Sequence, residues 1–253
     1  MKKILVINPV ADSRWNKTDS DYLKKIAREG MVVEVVNIKV GPSSIETFYD
    51  EAFALPGILK IVDEYKTKCD AIVINCFADP AVNAARELTD VPVVGPAEAS
   101  MMIALMLGHN FGVISTFKNS GPWIELQARN IGIEQRLAGA IGIDIPVLEL
   151  EKDLKKTARC LVDAARYLIE SKGAEVIVLG CTGMAPVAKT IKEELEVPVI
   201  EPMATAFKMA ELIISLKLTH SKTGLYMTPS KDKIKSFFPV TDTEGKALKK
   251  NNI

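Results

Sequence analysis

The sequence predicts an α/β protein of two similar lobes, each with a mainly parallel sheet flanked by helices, related by pseudo-two-fold symmetry around a central cleft. Short Val- and Ile-rich runs recur without polar alternation, as in strands buried on both faces of a parallel sheet. Segments with helical spacing separate these runs, which indicates βαβ units with right-handed crossovers. The 253 residues, 48% of them hydrophobic, suffice for one large domain or two small ones.

Eight apolar runs are the predicted strands. They occupy residues 3–9, 32–38, 71–76, 91–96, 111–116, 143–150, 175–181 and 197–202. Helical spacing predicts helices between them, for example at residues 19–30, 55–68, 121–132, 150–173 and 185–196. Strands that alternate with helices favour two sheets of parallel strands over an all-β or all-α fold.

A long pattern occurs twice in the chain. "DAIVINCFADPAVNAARELTDVPVVGP" begins at Asp70, and "AEVIVLGCTGMAPVAKTIKEELEVPVIEP" begins at Ala174. Each contains an acidic residue, an apolar run, a cysteine, a loop, a helix-like segment and Val-Pro-Val. A general likeness between α/β units is the alternative, but the matched cysteines favour a duplicated unit. We therefore predict a first lobe at residues 1–104, joined by about 206–253, and a second lobe at residues 105–205.

Cys76 and Cys181 stand at equivalent places, where a predicted strand ends and a loop and helix follow. Ligands of open parallel sheets bind outside the carboxyl ends of the strands. A helix start offers free N–H groups and a positive dipole end, which favour a thiolate and can hold a substrate oxygen. Facing lobes would place the two cysteines on opposite sides of one carbon. One thiolate could then remove a proton and the other thiol return one, inverting a stereocentre without a cofactor.

Simple packing is the alternative for any free cysteine, because cysteine is among the most buried residue types. We prefer packing for Cys69, which precedes a strand, and for Cys160, which lies within a predicted helix. No cysteine pair has metal-ligand spacing and the two histidines stand apart, so no metal site is predicted. Trp15 and Trp123 are also expected to pack, with Trp15 in a loop beside the predicted cleft.

Composition excludes several classes of partner. Lys+Arg and Asp+Glu both number 32, so a formal charge of zero gives no reason to expect nucleic acid or an anionic membrane surface. No apolar stretch is long enough to span a bilayer, and no secretory signal is visible. Four cysteines do not suggest a disulfide framework, so we expect a cytoplasmic protein that binds a small molecule.

Several motifs together resemble the aspartate/glutamate/hydantoin racemase superfamily, and most closely its hydantoin and allantoin racemase branch. They are "INP" near the start, "GPSSIETFYDEAFALPGIL" from Gly41, "NCFADP", "VISTFKNSGPW" and "LGCTGM". The match covers roughly residues 3–215. The resemblance implies a cofactor-independent racemase with Cys76 and Cys181 as acid and base on opposite faces of a carbon next to a carbonyl. A 5-substituted hydantoin or an allantoin-like molecule is the implied substrate.

The resemblance also assigns substrate binding to seven positions: Asn8, Ser44, Phe77, Ser115, Thr116, Thr182 and Gly183. The backbone N–H groups after each cysteine would hold the substrate's carbonyl or carboxylate. For Ser44 the alternative is a turn or a helix cap. For Asn8 and the Ser115–Thr116 pair the alternative is an ordinary turn at a strand end.

The chain departs from the family pattern in three places, one of which is Thr182, where hydantoin racemases commonly have alanine. Val10 and Ala11 replace an Asn-Thr pair in the amino-terminal loop, and Glu201 stands where the family often has Asp-Gly. Glu201 could present an acid to the pocket or favour the start of the next helix.

Other functions and assemblies stay open. The same fold could serve an aspartate or glutamate racemase, a dicarboxylate cis–trans isomerase, or a ligand-binding module without chemistry. The family also implies a homo-oligomer, for which "SMMIALML" at residues 100–107 could supply an apolar surface or form a buried core helix.

Overall fold

The computed structural model describes residues 1–230 and contains two four-stranded sheets in which every pairing is parallel. The first sheet has the order β2-β1-β3-β4 and the second the order β6-β5-β7-β8. The strands are β1 (Lys2–Asn8), β2 (Met31–Asn37), β3 (Ala71–Ile74), β4 (Val93–Val94), β5 (Phe111–Ser115), β6 (Leu137–Gly142), β7 (Val176–Leu179) and β8 (Val199–Ile200). The two sheets share one topology, and the predicted fold class is confirmed.

Eight α-helices flank the sheets in the described part of the chain. They are α1 (Asn16–Ile26), α2 (Phe48–Tyr65), α3 (Val82–Leu88), α4 (Pro96–Leu107), α5 (Gly121–Asn130), α6 (Leu154–Lys172), α7 (Ala188–Glu194) and α8 (Pro202–Ser215). Their ends follow from local chemistry. Thr47 and Asp50 form a reciprocal capping box at the start of α2. Gly173 ends α6 in the left-handed region, with φ of 74°.

The core explains why the strand sequences do not alternate between apolar and polar residues. In β1, Ile4 and Val6 pack on one face of the sheet, and Leu5 and Ile7 pack on the other. All four side chains are fully buried. Helices cover both faces of each sheet, so each position of a central strand must be apolar.

Helices α4 and α8 lie where the two sheets meet. Helix α8 contacts β1, β3 and β4 of the first sheet, where Phe207 joins the same core cluster as Ile4. Helix α4 contacts α8 and also β5 and β7 of the second sheet. The chain thus returns to the first sheet after β8. The lobe boundaries at residues 104 and 205 stay predictions, and the 231–253 part of the predicted returning segment lies outside the described residues.

The "SMMIALML" run belongs to α4 and has two different faces. Met101 and Ala104 are buried, whereas Met102, Met106 and Leu107 are exposed. The buried side chains of the run therefore pack as those of a core helix do. The homo-oligomer stays a prediction. Between residues 1 and 230, no helix has both the length and the apolar character to cross a bilayer.

One predicted strand is wrong. Residues 143–150 form a turn at Asp144, with φ of 57°, and a short 3-10 helix at Val147–Glu149, whereas the strand lies just before them in β6. Strand β6 is a partly buried edge strand with the sequence "LAGAIG", so it lacks the long apolar run of a central strand. Gly142 is required there because a Cβ atom would lie 1.7 Å from the Phe117 carbonyl oxygen.

Candidate active site

A cleft of about 830 Å³, its open mouth included, lies at the carboxyl ends of the central strands of both sheets. Asn8 ends β1 and Ser115 ends β5, while Cys76 and Cys181 each follow two residues after the end of β3 and β7. The structure brings all nine predicted site residues to this cleft: Asn8, Ser44, Cys76, Phe77, Ser115, Thr116, Cys181, Thr182 and Gly183. The topological equivalence of β3 and β7 explains why one cysteine comes from each sheet.

The two cysteine sulfurs have matching backbone partners. The backbone N–H of Ala78 lies near the Cys76 sulfur and lowers the pKa of its thiol, and the N–H of Gly183 does the same for Cys181. In both loops the donor is thus the second residue after the cysteine. The duplicated sequence pattern therefore produces a duplicated local geometry around two thiols that line one cleft.

Burial raises the pKa of both cysteine thiols. Nearby Cys181 and Asp79 raise the pKa of Cys76 further, and Glu46 and Glu201 do the same for Cys181. The expectation that a helix start would favour thiolates is therefore wrong for this structure. Helix α3 begins at Val82, several residues past Cys76, and a single N–H donor to each sulfur does not offset its desolvation.

The lobes hold each other's cysteine loops. The Gln127 side chain of α5 donates to the Phe77 carbonyl at 2.7 Å, and the Thr182 hydroxyl donates to the Asn75 carbonyl at 3.4 Å. The backbone N–H groups of Phe77 and Thr182 have no acceptor among residues 1–230. Each cysteine loop therefore offers one free N–H beside its thiol.

A polar network lines the first-lobe side of the cleft. Asn8 was predicted from the sequence as a site residue, whereas Asp19 and Asn75 were not. The Asn8 side-chain N–H₂ donates to Asp19 at 2.9 Å, and Asn75 donates to the Asn8 side-chain oxygen at 2.8 Å. Burial raises the pKa of Asp19 to about 6, and the neighbouring carboxylates of Glu201 and Glu151 also raise it, while the Asn8 bond lowers it. Asp19 lies on α1, where no sequence pattern separates it from an ordinary first-turn acid.

The opposite side of the cleft is largely apolar. It includes Phe117, Trp123, Ile124 and Val147. The Trp123 ring lies 5.5 Å from the Phe117 ring and 5.0 Å from that of Phe48, so the aromatic side chains support one another. The cleft thus combines the amide and carboxylate network of the first lobe with an apolar patch of the second. Polar side chains of the second lobe lie beside that patch: Ser115, Thr116, Ser120, Gln127 and Thr182.

Both tryptophans line the cleft, although packing was the expected role. The Trp15 indole N–H donates to Glu151 at 2.9 Å and so joins the amino-terminal loop to the second lobe. Glu46 makes a similar connection, because its carboxylate accepts the Val147 N–H at 2.8 Å. Side chains from both lobes therefore close the rim of the cleft.

The structure excludes the helix-cap alternative for Ser44 and separates the two possible roles of Glu201. The cap of α2 is Thr47, and the Ser44 hydroxyl lies in the cleft wall at 3.3 Å from Glu46, so Ser44 does not cap the helix. The Glu201 carboxylate accepts the N–H groups of Met203 and Ala204, each at 2.8 Å. Glu201 does not line the cleft. A pocket role for Glu201 is therefore wrong, and the helix-start role is correct.

Asp79 anchors the Cys76 loop to the next helix. Its carboxylate accepts the N–H groups of Ala97 and Glu98 at the start of α4, at 2.9 and 2.8 Å. Gly95 leaves room for this contact, since a Cβ atom there would lie 2.4 Å from the Asp79 carboxyl carbon. Burial raises the pKa of Asp79 to about 7.

Charge and metal-binding groups are scarce around the cleft. None of the cleft-lining residues in the described part of the chain is Arg, Lys or His. Within residues 1–230, no group of three His, Cys, Asp or Glu side chains has an arrangement that could hold a metal ion. The polar chemistry of the cleft therefore comes from thiols, amides, hydroxyls, backbone N–H groups and Asp19.

The chain is similar to known racemases both in sequence and in structure. A family model described as Asp/Glu/Hydantoin racemase matches residues 4–210. A hydantoin racemase from Pseudomonas sp. (strain NS671) is 36% identical over 230 residues, which cover 90% of this chain and 92% of the relative. The structure of an allantoin racemase from Klebsiella pneumoniae is 34% identical, covers 91% of this chain and 95% of its own, and superimposes with a TM-score of 0.86.

A more distant structure shares the fold. Glutamate racemase from Francisella tularensis is 18% identical, with a TM-score of 0.62 over 87% of this chain and 84% of its own.

Proposed function

The chain belongs to the Asp/Glu/hydantoin racemase family, and from this premise we propose that it racemises a neutral cyclic ureide, a 5-substituted hydantoin or an allantoin-like molecule. Family membership makes the protein a racemase that acts on a small molecule. The finer proposal is that Cys76 and Cys181 act on opposite faces of the ring carbon that carries the substituent. The observation that supports it most is the pair of equivalent thiols, one from each sheet, in a single cleft.

The proposed chemistry is a proton exchange at one carbon. One cysteine, as the thiolate, takes the proton from the carbon next to the ring carbonyl, and the electron pair moves towards the carbonyl oxygen. The free N–H groups of Phe77 and Thr182 are suitable donors for that oxygen as its charge grows. The other cysteine, as the thiol, delivers a proton to the opposite face. Each turnover exchanges the protonation states of the two sulfurs.

The raised pKa of the thiols has two opposed effects on this reaction. A hydrogen next to a carbonyl is a weak acid, and a thiolate becomes a stronger base as the pKa of its thiol rises, but a smaller fraction of the thiol is then ionised near neutral pH. The enolate-like state would also meet the fixed N–H dipoles of the cysteine loops. The protein needs no cofactor for these steps, because both proton carriers are side chains of the cleft.

The absence of cations among the described cleft-lining residues favours a neutral substrate. Aspartate, glutamate and dicarboxylates each carry at least one carboxylate that a buried site would pair with Arg, Lys or several donors. A hydantoin ring has no formal charge, and its carbonyl oxygens need only N–H donors. An amino-acid racemase is therefore the second candidate, ahead of a dicarboxylate isomerase or a binding module.

The direct test is a substrate panel of single enantiomers followed by polarimetry. The panel contains 5-benzylhydantoin, 5-methylhydantoin, allantoin, aspartate and glutamate. We expect optical rotation to decay to zero for at least one ureide and to persist for both amino acids. Decay for aspartate or glutamate alone would support the second candidate, and no decay for any compound would contradict the proposal.

A further inference from the structure

Four asparagines form a hydrogen-bonded chain whose direction is fixed at one end by the backbone. The Asn37 side-chain N–H₂ donates to the carbonyl oxygens of Ile38 and Val10, at 2.9 and 3.4 Å. Carbonyl oxygens can only accept, so the Asn37 side-chain oxygen must point the other way. That oxygen accepts from the Asn16 N–H₂ group at 2.8 Å. The orientation of Asn16 is therefore fixed in turn.

The same reasoning fixes the orientation of the next two side-chain amides, which line the cleft. The Asn16 side-chain oxygen accepts from Asn8 at 3.0 Å, and the Asn8 oxygen accepts from Asn75 at 2.8 Å. The last member, Asn75, thus uses its N–H₂ group inside the chain. Its side-chain oxygen is buried and has no hydrogen-bond donor among residues 1–230.

Asp19 reinforces this orientation. Its Oδ2 atom accepts from Asn8 at 2.9 Å and from Asn75 at 3.4 Å. Turning the Asn75 amide over would place its oxygen against this carboxylate, so the observed orientation is the favourable one. The second carboxylate oxygen, Oδ1, accepts no hydrogen bond from a described residue. Asp19 and Asn75, both of which line the cleft, therefore each carry one acceptor without a donor.

No described side chain supplies the missing donor or a counter-ion. The ionisable groups that face Asp19 are the carboxylates of Glu201 and Glu151, and the Tyr22 hydroxyl is hydrogen-bonded to Glu201 at 3.1 Å. A buried acceptor without a donor is destabilising. The Asn75 oxygen is enclosed in the free cleft, so a small shift of the cleft wall must accompany a ligand N–H group that reaches it, whereas Asp19 Oδ1 is not enclosed. A ligand that brings N–H groups to these two oxygens would satisfy both acceptors.

We propose that Asp19 and Asn75 accept hydrogen bonds from N–H groups of the substrate and thereby select a ligand with an N–H next to its carbonyl. This inference rests on the proposed function and adds a binding determinant to it. The first-lobe wall recognises ring N–H groups, while the free N–H groups of Phe77 and Thr182 recognise a carbonyl oxygen. A cyclic ureide carries both kinds of group side by side. An ester or ether analogue of the same shape carries only the acceptors.

The test is a binding cycle between protein variants and N-methylated ligands. Racemic 5-benzylhydantoin and its 1-methyl and 3-methyl derivatives are titrated by calorimetry into the full chain, so that turnover leaves the ligand composition unchanged. Asp19→Asn and Asn75→Ala should each weaken binding of the parent about tenfold. For the derivative that lacks the recognised N–H, the same substitutions should change the dissociation constant less than twofold. Asp163→Asn, on the exposed face of α6, is the matched control and should change none of these values.

A pH series supplies a second readout that loss of structure would not imitate. The ionised form of Asp19 is the better acceptor, so affinity for the parent should fall as pH drops through about 6. Asp19→Asn should remove this dependence, whereas Asn75→Ala should keep it.

Equal loss of affinity for the parent and both methyl derivatives would overturn the inference, as would no detectable binding of the parent. If the substitutions weaken binding of the parent but not of the N-methylated derivative, and yet no compound is racemised, only the proposed function would be overturned.

Discussion

The loop after β3 carries Cys76 and the loop after β7 carries Cys181, yet the residue before each cysteine differs. Asn75 extends a side chain into the polar network, whereas Gly180 in the second sheet has no side chain, and a Cβ atom there would lie 2.9 Å from the Ile114 carbonyl oxygen. The backbone is the same in both places, because Asn75 and Gly180 each donate an N–H to the strand beside them. Duplication thus conserves the thiol positions while the neighbouring side chains diverge.

This difference between the two cysteine loops contributes to unequal sides of the cleft. The first lobe contributes the amides and the carboxylate of the polar network, whereas the second contributes aromatic side chains and Val147 together with hydroxyl groups. Two equivalent thiols alone would treat both faces of a ring alike. The unequal walls fix which edge of the ring faces each lobe, so that the reacting carbon can lie between the sulfurs. In the proposed reaction, the equivalent thiols serve the proton transfers and the unequal sides of the cleft serve binding.

The largest predicted effect comes from removing either thiol. Cys76→Ser and Cys181→Ser should each lower kcat for racemisation by about 10²–10⁴-fold, because each removes one of two proton carriers. KM should change much less. Cys160→Ser, on α6 outside the cleft, is the control and should leave kcat near the wild-type value. Steady-state polarimetry measures both constants. An unchanged kcat in either cleft variant would show that the two thiols do not have equivalent roles.

The next effect concerns the apolar side chains of the second lobe. Trp123→Ala should reduce the preference for 5-benzylhydantoin over 5-methylhydantoin, measured as the ratio of kcat/KM values, by about 10- to 100-fold. The expected size follows from the loss of roughly 1.5–3 kcal/mol of contact with a large apolar group. Leu126→Ala, on an exposed part of the same helix, provides the comparison. An unchanged ratio would mean that the substituent does not lie against the second lobe.

A smaller effect separates the two helix caps. Helix α4 is capped by Asp79 from the Cys76 loop, whereas α8 is capped by Glu201, which directly precedes the helix and, among residues 1–230, makes no hydrogen bond to the Cys181 loop. Asp79→Ala and Glu201→Ala should each lower the free energy of unfolding by about 1–2 kcal/mol, as measured in urea. Only Asp79→Ala should also lower kcat, by releasing the loop that positions Cys76. An equal fall in kcat for both variants would show that the two caps do not differ in function.

The sequence predicted the features that depend on long patterns. Buried parallel strands leave continuous apolar runs, so seven of the eight predicted strands coincide with observed ones, and the duplicated cysteine motif located the cleft. The edge strand β6 was missed because a half-covered strand of small residues resembles a loop, while Pro146 and Asp144 interrupt the more apolar run that follows.

The polar wall could not be predicted, for a different reason. Asp19 is one acid in the first turn of a helix, and Asn75 is one amide at a strand end. Only the packing of α1 beside the ends of β1 and β3 brings them together. The raised pKa of the thiols is also a property of three-dimensional burial, which the local helix-start pattern does not report.

The opposed action of the two thiols is tested most directly by deuterium exchange. Each enantiomer of 5-benzylhydantoin is incubated in heavy water with Cys76→Ser or Cys181→Ser, and loss of the proton signal at the ring carbon is followed by NMR. A thiolate on one face can exchange only the enantiomer whose proton faces it. The two variants should therefore exchange opposite enantiomers, each without racemising it. Exchange of the same enantiomer by both variants would contradict the placement of the sulfurs on opposite faces of the carbon.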